Sequence, residues 1–338
     1  MRSRALRTLA LAATLSAGLL LTGCGSDSDT PDDATSAAPL GTVETMYGTV
    51  TVPQPEDGDL TVVALGWSDA EMALALGIKP VAVYDWQGFG DANKGVGPWA
   101  TGKFGEVTPT VIPNAAQELN YEQIQGLAPD LILNVRAGAD QAVHDRLASI
   151  APTVYAPTGT PDFATAWDVQ MKSIAAAVGK TAEGDASIAD VTGQIDAAKA
   201  AHPEFASKTI TSGTKFGEAY GAYLAGDVRF DMLADLGFVQ NPPILELPAS
   251  GFFASISAEN VSDLDADVTI ILPIGFTLEQ ATSDKLLASL DSVKDDRAIF
   301  IDPASDFAGA WAAGSVLSIP EALNGILPEL TDAVGKLD

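Results

Sequence analysis

An internal echo constrains the fold of this chain more than any other feature. The stretch LNYEQIQGLAPDLIL at residues 119–133 aligns without gaps on ISAENVSDLDADVTI at 256–270, a constant shift of 137 residues. Each copy places a helix-capping residue (Asn120, Ser257) two positions before a glutamate (Glu122, Glu259). Apolar residues at helical spacing follow, Ile124 and Leu127 in one copy and Val261 and Leu264 in the other. An aspartate, Asp130 or Asp267, then precedes an apolar strand. A weaker echo pairs Leu76-Gly77-Ile78 with Leu236-Gly237-Phe238 in the same chain order. Two echoes this far apart describe paired domains of similar α/β design, not a solenoid of short repeats.

Local patterns support that design. Strand-like patterns surround residues 43–47 and 49–52. Residues 61–65 form an apolar strand, Ser68 and Glu71 have capping-box spacing, and Gly77 suits a left-handed helix stop. A second strand over 80–84 completes a strand–helix–strand unit, which joins parallel strands. Over 161–180, Phe163, Trp167, Met171, Ile174, Ala175 and Val178 recur at helical spacing until Gly179. This predicts one long helix between the halves, with Trp167 on its core side and a second helix near 186–200. The expected domains are residues 43–160, a helix over 161–184, and residues 185–338.

The N-terminal region reads as an export signal followed by a tether. Arg2, Arg4 and Arg7 precede an apolar run over 9–21, too short to span a bilayer comfortably. Leu21-Thr22-Gly23-Cys24 resembles the lipobox of bacterial lipoproteins, which implies cleavage after residue 23 and lipid on Cys24. Residues 24–42, rich in Ser, Asp, Ala, Thr and Pro, then form a flexible acidic tether.

Composition excludes several classes of function. Cys24 is the only cysteine and His144 and His202 the only histidines, so no internal disulfide, thiolate-rich metal site or conventional multi-histidine zinc site is available. The formal charge is −27, and losing residues 1–23 removes three arginines, leaving 15 basic against 45 acidic side chains, or −30. Nucleic acid needs a basic face, so it is not an expected partner. The chain has no Gly-x-Ser-x-Gly elbow, and neither histidine falls on a predicted strand-end loop, His144 reading as solvent-facing on a helix. A lipid-anchored hydrolase is therefore the weaker alternative.

The chain resembles the helical-backbone class of ABC-transporter substrate-binding proteins, and within it the iron–siderophore branch that binds ferric enterobactin and ferric hydroxamates. The resemblance rests on VALGWSDAEMALALGIKPVAV at 63–83, YEQIQGLAPDLIL at 121–133, HDRLASIAPTV at 144–154, Trp167, LLASLDSVKDDRAIFID at 286–302 and SIPEALNGI at 318–326. It implies an α/β fold of two Rossmann-like lobes joined by one long rigid α-helix, with the ligand in the cleft between them. It also implies a monomeric, non-enzymatic receptor without a cofactor of its own. Anchored through Cys24 to the outer face of the cytoplasmic membrane, such a receptor delivers a ferric siderophore to an ABC permease and its ATPase. Haem or a corrinoid is the alternative ligand within the class.

A ferric siderophore is broad, oxygen-rich and partly apolar, so its binder needs aromatic walls and a few cationic or hydrogen-bonding groups. Loops after strands should carry them. Trp67, Trp86 and Trp99 follow the first strands, and Arg136 follows the strand over 131–134. In the second half the candidates are Tyr220, Tyr223, Arg229, Phe276 and Trp311. Each aromatic residue can instead cover a core, and each arginine can instead make a surface salt bridge. Arg136 and Arg229 are expected as opposed cations, one per lobe, whereas Arg146 and Arg297 read as solvated surface. Few cations favour a hydroxamate or mixed chelate over a highly anionic catecholate.

Overall fold

The computed structural model describes residues 38–56, 58–114 and 119–337. The export signal, Cys24 and the tether as far as residue 37 lie outside the described residues. The last two residues assigned to the tether already belong to a strand. Gly41–Thr45 pairs antiparallel with Gly48–Val52 across a turn that uses Gly48 at φ 107°.

The N-terminal lobe is a parallel sheet. Its strands lie in the order Thr110–Pro113, Ala82–Asp85, Val62–Ala64, Leu131–Leu133 and Thr153–Val154. The sequences VVA and LIL are apolar throughout and fully buried, as strands covered on both faces must be. Counted along the chain, the order is 3-2-1-4-5, so the winding direction reverses between Val62–Ala64 and Leu131–Leu133. Ligands of open α/β sheets bind beyond the carboxyl ends of strands at such a switch point. Trp67 and Arg136 follow these two strands.

The C-terminal lobe carries a mixed sheet. Thr209–Phe216, Val268–Ile271 and Ala298–Phe300 run parallel, and short Val239–Gln240 pairs parallel with the start of the first. On the other side Ala219–Tyr223, Phe253–Ile256 and Ala249–Ser250 form an antiparallel meander. The lobe thus departs from an all-parallel Rossmann arrangement. Only Gly217 and Glu218 separate Thr209–Phe216 from Ala219–Tyr223. A two-residue link joins antiparallel neighbours, whereas a parallel crossover needs a dozen or more residues.

The internal echo is structural. Asp130 Oδ2 accepts the Thr61 N–H at 2.8 Å, and Asp267 Oδ2 accepts the Thr209 N–H at 2.8 Å. Each carboxylate therefore holds the start of the neighbouring strand in its own sheet. Gly77 and Gly237 both end helices with positive φ, 78° and 109°. The copies diverge between these points. Tyr121–Gly126 is an α-helix capped by Asn120, while Ala258–Leu264 is 3₁₀ and Ser257 makes no side-chain cap.

The interlobe connection is two helices, not one. The first, Trp167–Ala177, packs against the Gly41–Thr45 strand and the Asp69–Ala75 helix within the N-terminal half. Gly179 at φ 67° stops it, and the Lys180 N–H bonds back to the Ala175 carbonyl at 2.8 Å. The chain re-enters a helix at once. Thr181–Ala201, 21 residues long, crosses to pack against Val228–Asp235 and Ile319–Gly335. Gly184 lies where a Cβ would collide with that of Ala175, so the two helices touch at their start. The bridging helix therefore lies later in the chain than residues 161–184. One continuous apolar core runs from Val62 and Leu131 through Ile174 and Val191 to Ile210, Val268 and Ile326. Among the described residues, no helix is long and apolar enough to cross a membrane.

Candidate ligand-binding cleft

The N-terminal wall begins where the strands end. Trp67 is fixed at the switch point by its backbone: its N–H bonds to the Arg136 carbonyl at 2.9 Å, and its carbonyl accepts from Gln170 Nε2 at 2.8 Å. Trp86 follows Ala82–Asp85 and lies parallel to Trp67, with ring centroids 4.4 Å apart. Its loop folds around Asp85, whose carboxylate accepts the N–H groups of Gly88, Phe89 and Gly90 at 2.9, 2.8 and 2.7 Å. Phe163 packs on Trp67 at 4.5 Å. It lies outside the helix that its spacing suggested, in a turn at φ 58°, and so reaches the cleft.

The C-terminal wall faces this stack. Phe252 meets Trp67 edge-on at 6.5 Å and lies parallel to Tyr223 at 6.5 Å. The Arg229 guanidinium lies 3.6 Å from the Tyr223 ring centre and 5.9 Å from that of Phe252. Arg136 approaches the Trp67 ring at 5.6 Å.

Between the walls lies a buried charge cluster. Arg136 and Arg229 are only 3% and 6% exposed, and both bind Asp227, which is wholly buried. Arg229 donates through Nε and Nη2 to the two Asp227 oxygens at 2.7 Å each, and Arg136 Nη2 reaches Oδ2 at 3.4 Å. Arg136 also donates to the carbonyls of Phe163 at 3.1 Å and Ala313 at 2.9 Å. Burial raises the Asp227 carboxyl, but the charge and hydrogen bonds of Arg229, with Arg136 behind them, outweigh it and hold it below the usual range. Burial pushes the Arg136 guanidinium downward, and Asp227 only partly offsets this. For Arg229 burial acts the same way, but Asp227 more than offsets it and raises its pKa. Two guanidiniums share Asp227, and the carboxyls of Asp69 and Asp231 also act on Arg136.

A family model described as periplasmic binding protein matches residues 62–304. The chain belongs to that family. A periplasmic solute binding protein from Mycobacterium smegmatis str. MC2 155 is 30% identical, with 87% of this chain and 98% of that one covered, at a TM-score of 0.75. PiaA of Streptococcus pneumoniae TIGR4, solved in complex with ferrichrome, is 27% identical over 87% of this chain and 99% of its own, with a TM-score of 0.73. SirA of Staphylococcus aureus, solved with staphyloferrin B, is 22% identical over 86% and 98%, with a TM-score of 0.68, and speaks to the fold alone. No curated protein matches the chain in sequence.

In this periplasmic binding protein the lobes are riveted around the cleft. Ala313 ends the helix Asp306–Ala313, and its carbonyl accepts from both Ser68 Oγ, at 2.7 Å, and Arg136 Nη1. Gln87 Nε2 donates to the Gly309 carbonyl at 3.2 Å. Glu71 accepts from Gly97 N–H at 3.2 Å, Trp99 Nε1 at 2.8 Å and Ser315 Oγ. Burial raises the Glu71 carboxyl, against those donors. Asp69 accepts from Val135 N–H at 2.7 Å and Gln170 Nε2 at 2.6 Å, yet burial still pushes its carboxyl up to about 6.

Of the residues singled out from the sequence, Trp67, Trp86, Arg136, Tyr223 and Arg229 come together at the cleft. The arginines do not oppose each other as free cations; Asp227 binds them together. Trp99 lies to one side, bonded to Glu71 and edge-on to Phe89 at 5.6 Å, where it packs against Gly309 of the other lobe. Tyr220 points to the opposite face of its strand from Tyr223. Its hydroxyl lies 3.0 Å from both Asp284 oxygens and 3.3 Å from Lys215 Nζ, which sits over the half-buried Phe276 ring at 5.1 Å. Trp311 is 1% exposed, on a helix rather than a loop, and belongs to the core. Its helix is legible after the fact, because Ser305 caps it by accepting the Ala308 N–H at 3.1 Å. His144 is half-buried, its ring stacked on Tyr47 at 4.0 Å.

Sequence reasoning missed Phe163, Phe252 and Asp227. Asp227 does carry a signal, since it caps Val228–Asp235 by accepting the Arg229 N–H at 2.9 Å. Nothing in its neighbours announces that Arg136, 91 positions away, shares it. Among the described residues, no group of three or more His, Cys, Asp or Glu side chains is placed to hold a metal ion.

Proposed function

We propose that the chain is the extracytoplasmic receptor of an iron importer, taking a ferric siderophore in this cleft and passing it to an ABC permease and its ATPase. The observation that carries the reading is the aromatic pair of walls over the buried Arg136–Asp227–Arg229 cluster. Rings on both lobes offer broad apolar contact to a chelate, with the Arg229 guanidinium over the Tyr223 ring beside them. Such a site grips the oxygen shell of a complex and leaves the iron inside its chelator. The ferrichrome held by the pneumococcal relative is a ligand of this kind. With both guanidiniums already bound to Asp227, the cluster suits a neutral or weakly charged hydroxamate better than a strongly anionic catecholate. Residues 1–23 serve as the export signal in this reading, and lipid on Cys24 keeps the monomer at the outer face of the cytoplasmic membrane.

The stacked indoles supply the test. A ferric trihydroxamate should quench tryptophan fluorescence of the mature protein saturably, and Trp67→Ala should weaken binding by about tenfold or more. Ferric catecholates should bind less tightly. Quenching by no ferric chelate, together with tight haem binding and a Soret band, would overturn the reading in favour of haem. Mass spectrometry of the native protein should find Cys24 acylated at the N-terminus.

A further inference from the structure

A cavity of about 450 Å³ lies against the N-terminal side of the aromatic stack. It shares Trp67 and Phe163 with the cleft and continues past Leu65 and Tyr84 to Val143. This volume falls within the range of about 300–1,000 Å³ in which pockets hold small ligands. Several of the polar groups around it are already engaged. The Tyr84 hydroxyl donates to Asn114 Oδ1 at 2.7 Å, and Asn114 Nδ2 donates to the Trp86 carbonyl at 2.8 Å. Asp140 Oδ1 caps the helix Gln141–Ala148, accepting the Ala142 and Val143 N–H groups at 2.8 and 3.0 Å. Arg136 turns its donors to the Phe163 and Ala313 carbonyls and to Asp227.

We propose that this chamber is a subsite for one uncharged acyl or alkyl arm of the ferric chelate, so that the receptor reads the arm as well as the iron core. The proposal rests on the ferric-siderophore reading and adds the chemistry of the substituent. An anionic arm entering here would lose its hydration beside Asp140, with Arg136 committed elsewhere. An apolar arm loses only its contact with water, which is worth roughly a fourfold gain in affinity for each methylene fully buried.

Three ferric trihydroxamates with one common core and different arms test this: acetyl, hexanoyl, and an arm of hexanoyl length ending in a carboxylate. Affinities for the mature protein are read by tryptophan quenching. The hexanoyl complex should bind at least about tenfold tighter than the acetyl complex, and the carboxylate complex no tighter than the acetyl one. Val143→Phe, which fills the chamber, should bring the hexanoyl-to-acetyl ratio to within about twofold of unity. Equal affinity for the acetyl and hexanoyl complexes in the unmodified protein overturns the subsite while leaving the receptor reading intact. So does a ratio that survives Val143→Phe. Failure of all three complexes to bind overturns both readings. The arm series in the unmodified protein decides the question even where the variant does not fold.

Discussion

At the scale of single residues, Asp227 has the largest consequences. It lies between two buried guanidiniums, and each would face the other without it. Removing one partner of a buried ion pair typically costs about 3–5 kcal/mol, because the remaining charge stays desolvated. Asp227→Asn keeps the size and removes the charge, so it should lose stability on that scale in equilibrium urea unfolding. Arg136→Met should cost less, because Asp227 keeps its bidentate partner Arg229. A loss for Arg136→Met equal to that for Asp227→Asn would show that the longer Arg136 contact matters as much as the Arg229 pair.

At the scale of elements, the loop after Ala82–Asp85 links the cleft to the lobe interface. Asp85 gathers three consecutive N–H groups, and the turn it stabilises presents Trp86 to Trp67, Gln87 to the Gly309 carbonyl and Phe89 to Trp99. Asp85→Ala strands those donors, and Trp86 loses its fixed place. Two parallel indoles 4.4 Å apart couple electronically, so circular dichroism in the tryptophan bands should show a couplet. That couplet should vanish in Trp86→Phe and diminish strongly in Asp85→Ala, with ferric-chelate affinity falling about tenfold in the latter. A couplet unchanged in Asp85→Ala would show that the loop holds its shape without the carboxylate. The connection between lobes illustrates a limit of periodicity at this scale. The apolar spacing over 161–180 is continuous, yet Phe163 and Gly179 both take positive φ and cut the helix to Trp167–Ala177. Spacing records which side chains face inward, and it does not record where the backbone turns.

At the scale of the whole molecule, buried carboxyls set the pH dependence of stability. Burial raises Asp69 and Asp231 to about 6 each, from an ordinary value of 3.8. Across the window between these values the folded state binds more protons than the unfolded state, so stability rises as pH falls from about 7 towards 4. Below that window the opposite groups take over. The carboxyls of Asp227 and Asp284 are held below their ordinary value by cationic partners, and the stability they contribute is lost as they protonate. The melting temperature should therefore be higher at pH 5 than at pH 7.5 and fall again under strong acid. Relief of the formal charge of −27 acts in the same direction, so Asp69→Asn separates the two effects. That variant should flatten the rise between pH 7.5 and 5. An identical slope in variant and parent would mean that Asp69 titrates normally.

The α/β class, the paired lobes and the strand ends ahead of Trp67, Trp86 and Arg136 can be read from the sequence. Those features follow from local rules: apolar runs make buried strands, caps and glycines bound helices, and a carboxylate such as Asp130 or Asp267 ties one strand to the next in both halves. Which aromatic residues line the cleft and which serve the core or the rivets depends on tertiary packing. Tyr220 and Tyr223 lie in one strand, and the side of the sheet that each meets depends on what packs there. Placement after strands picks out the two arginines, yet each could instead make a surface salt bridge. They become a buried cluster because folding brings Arg136 to Asp227 across 91 residues of chain, and electrostatic partnership of that range is a property of the packed molecule.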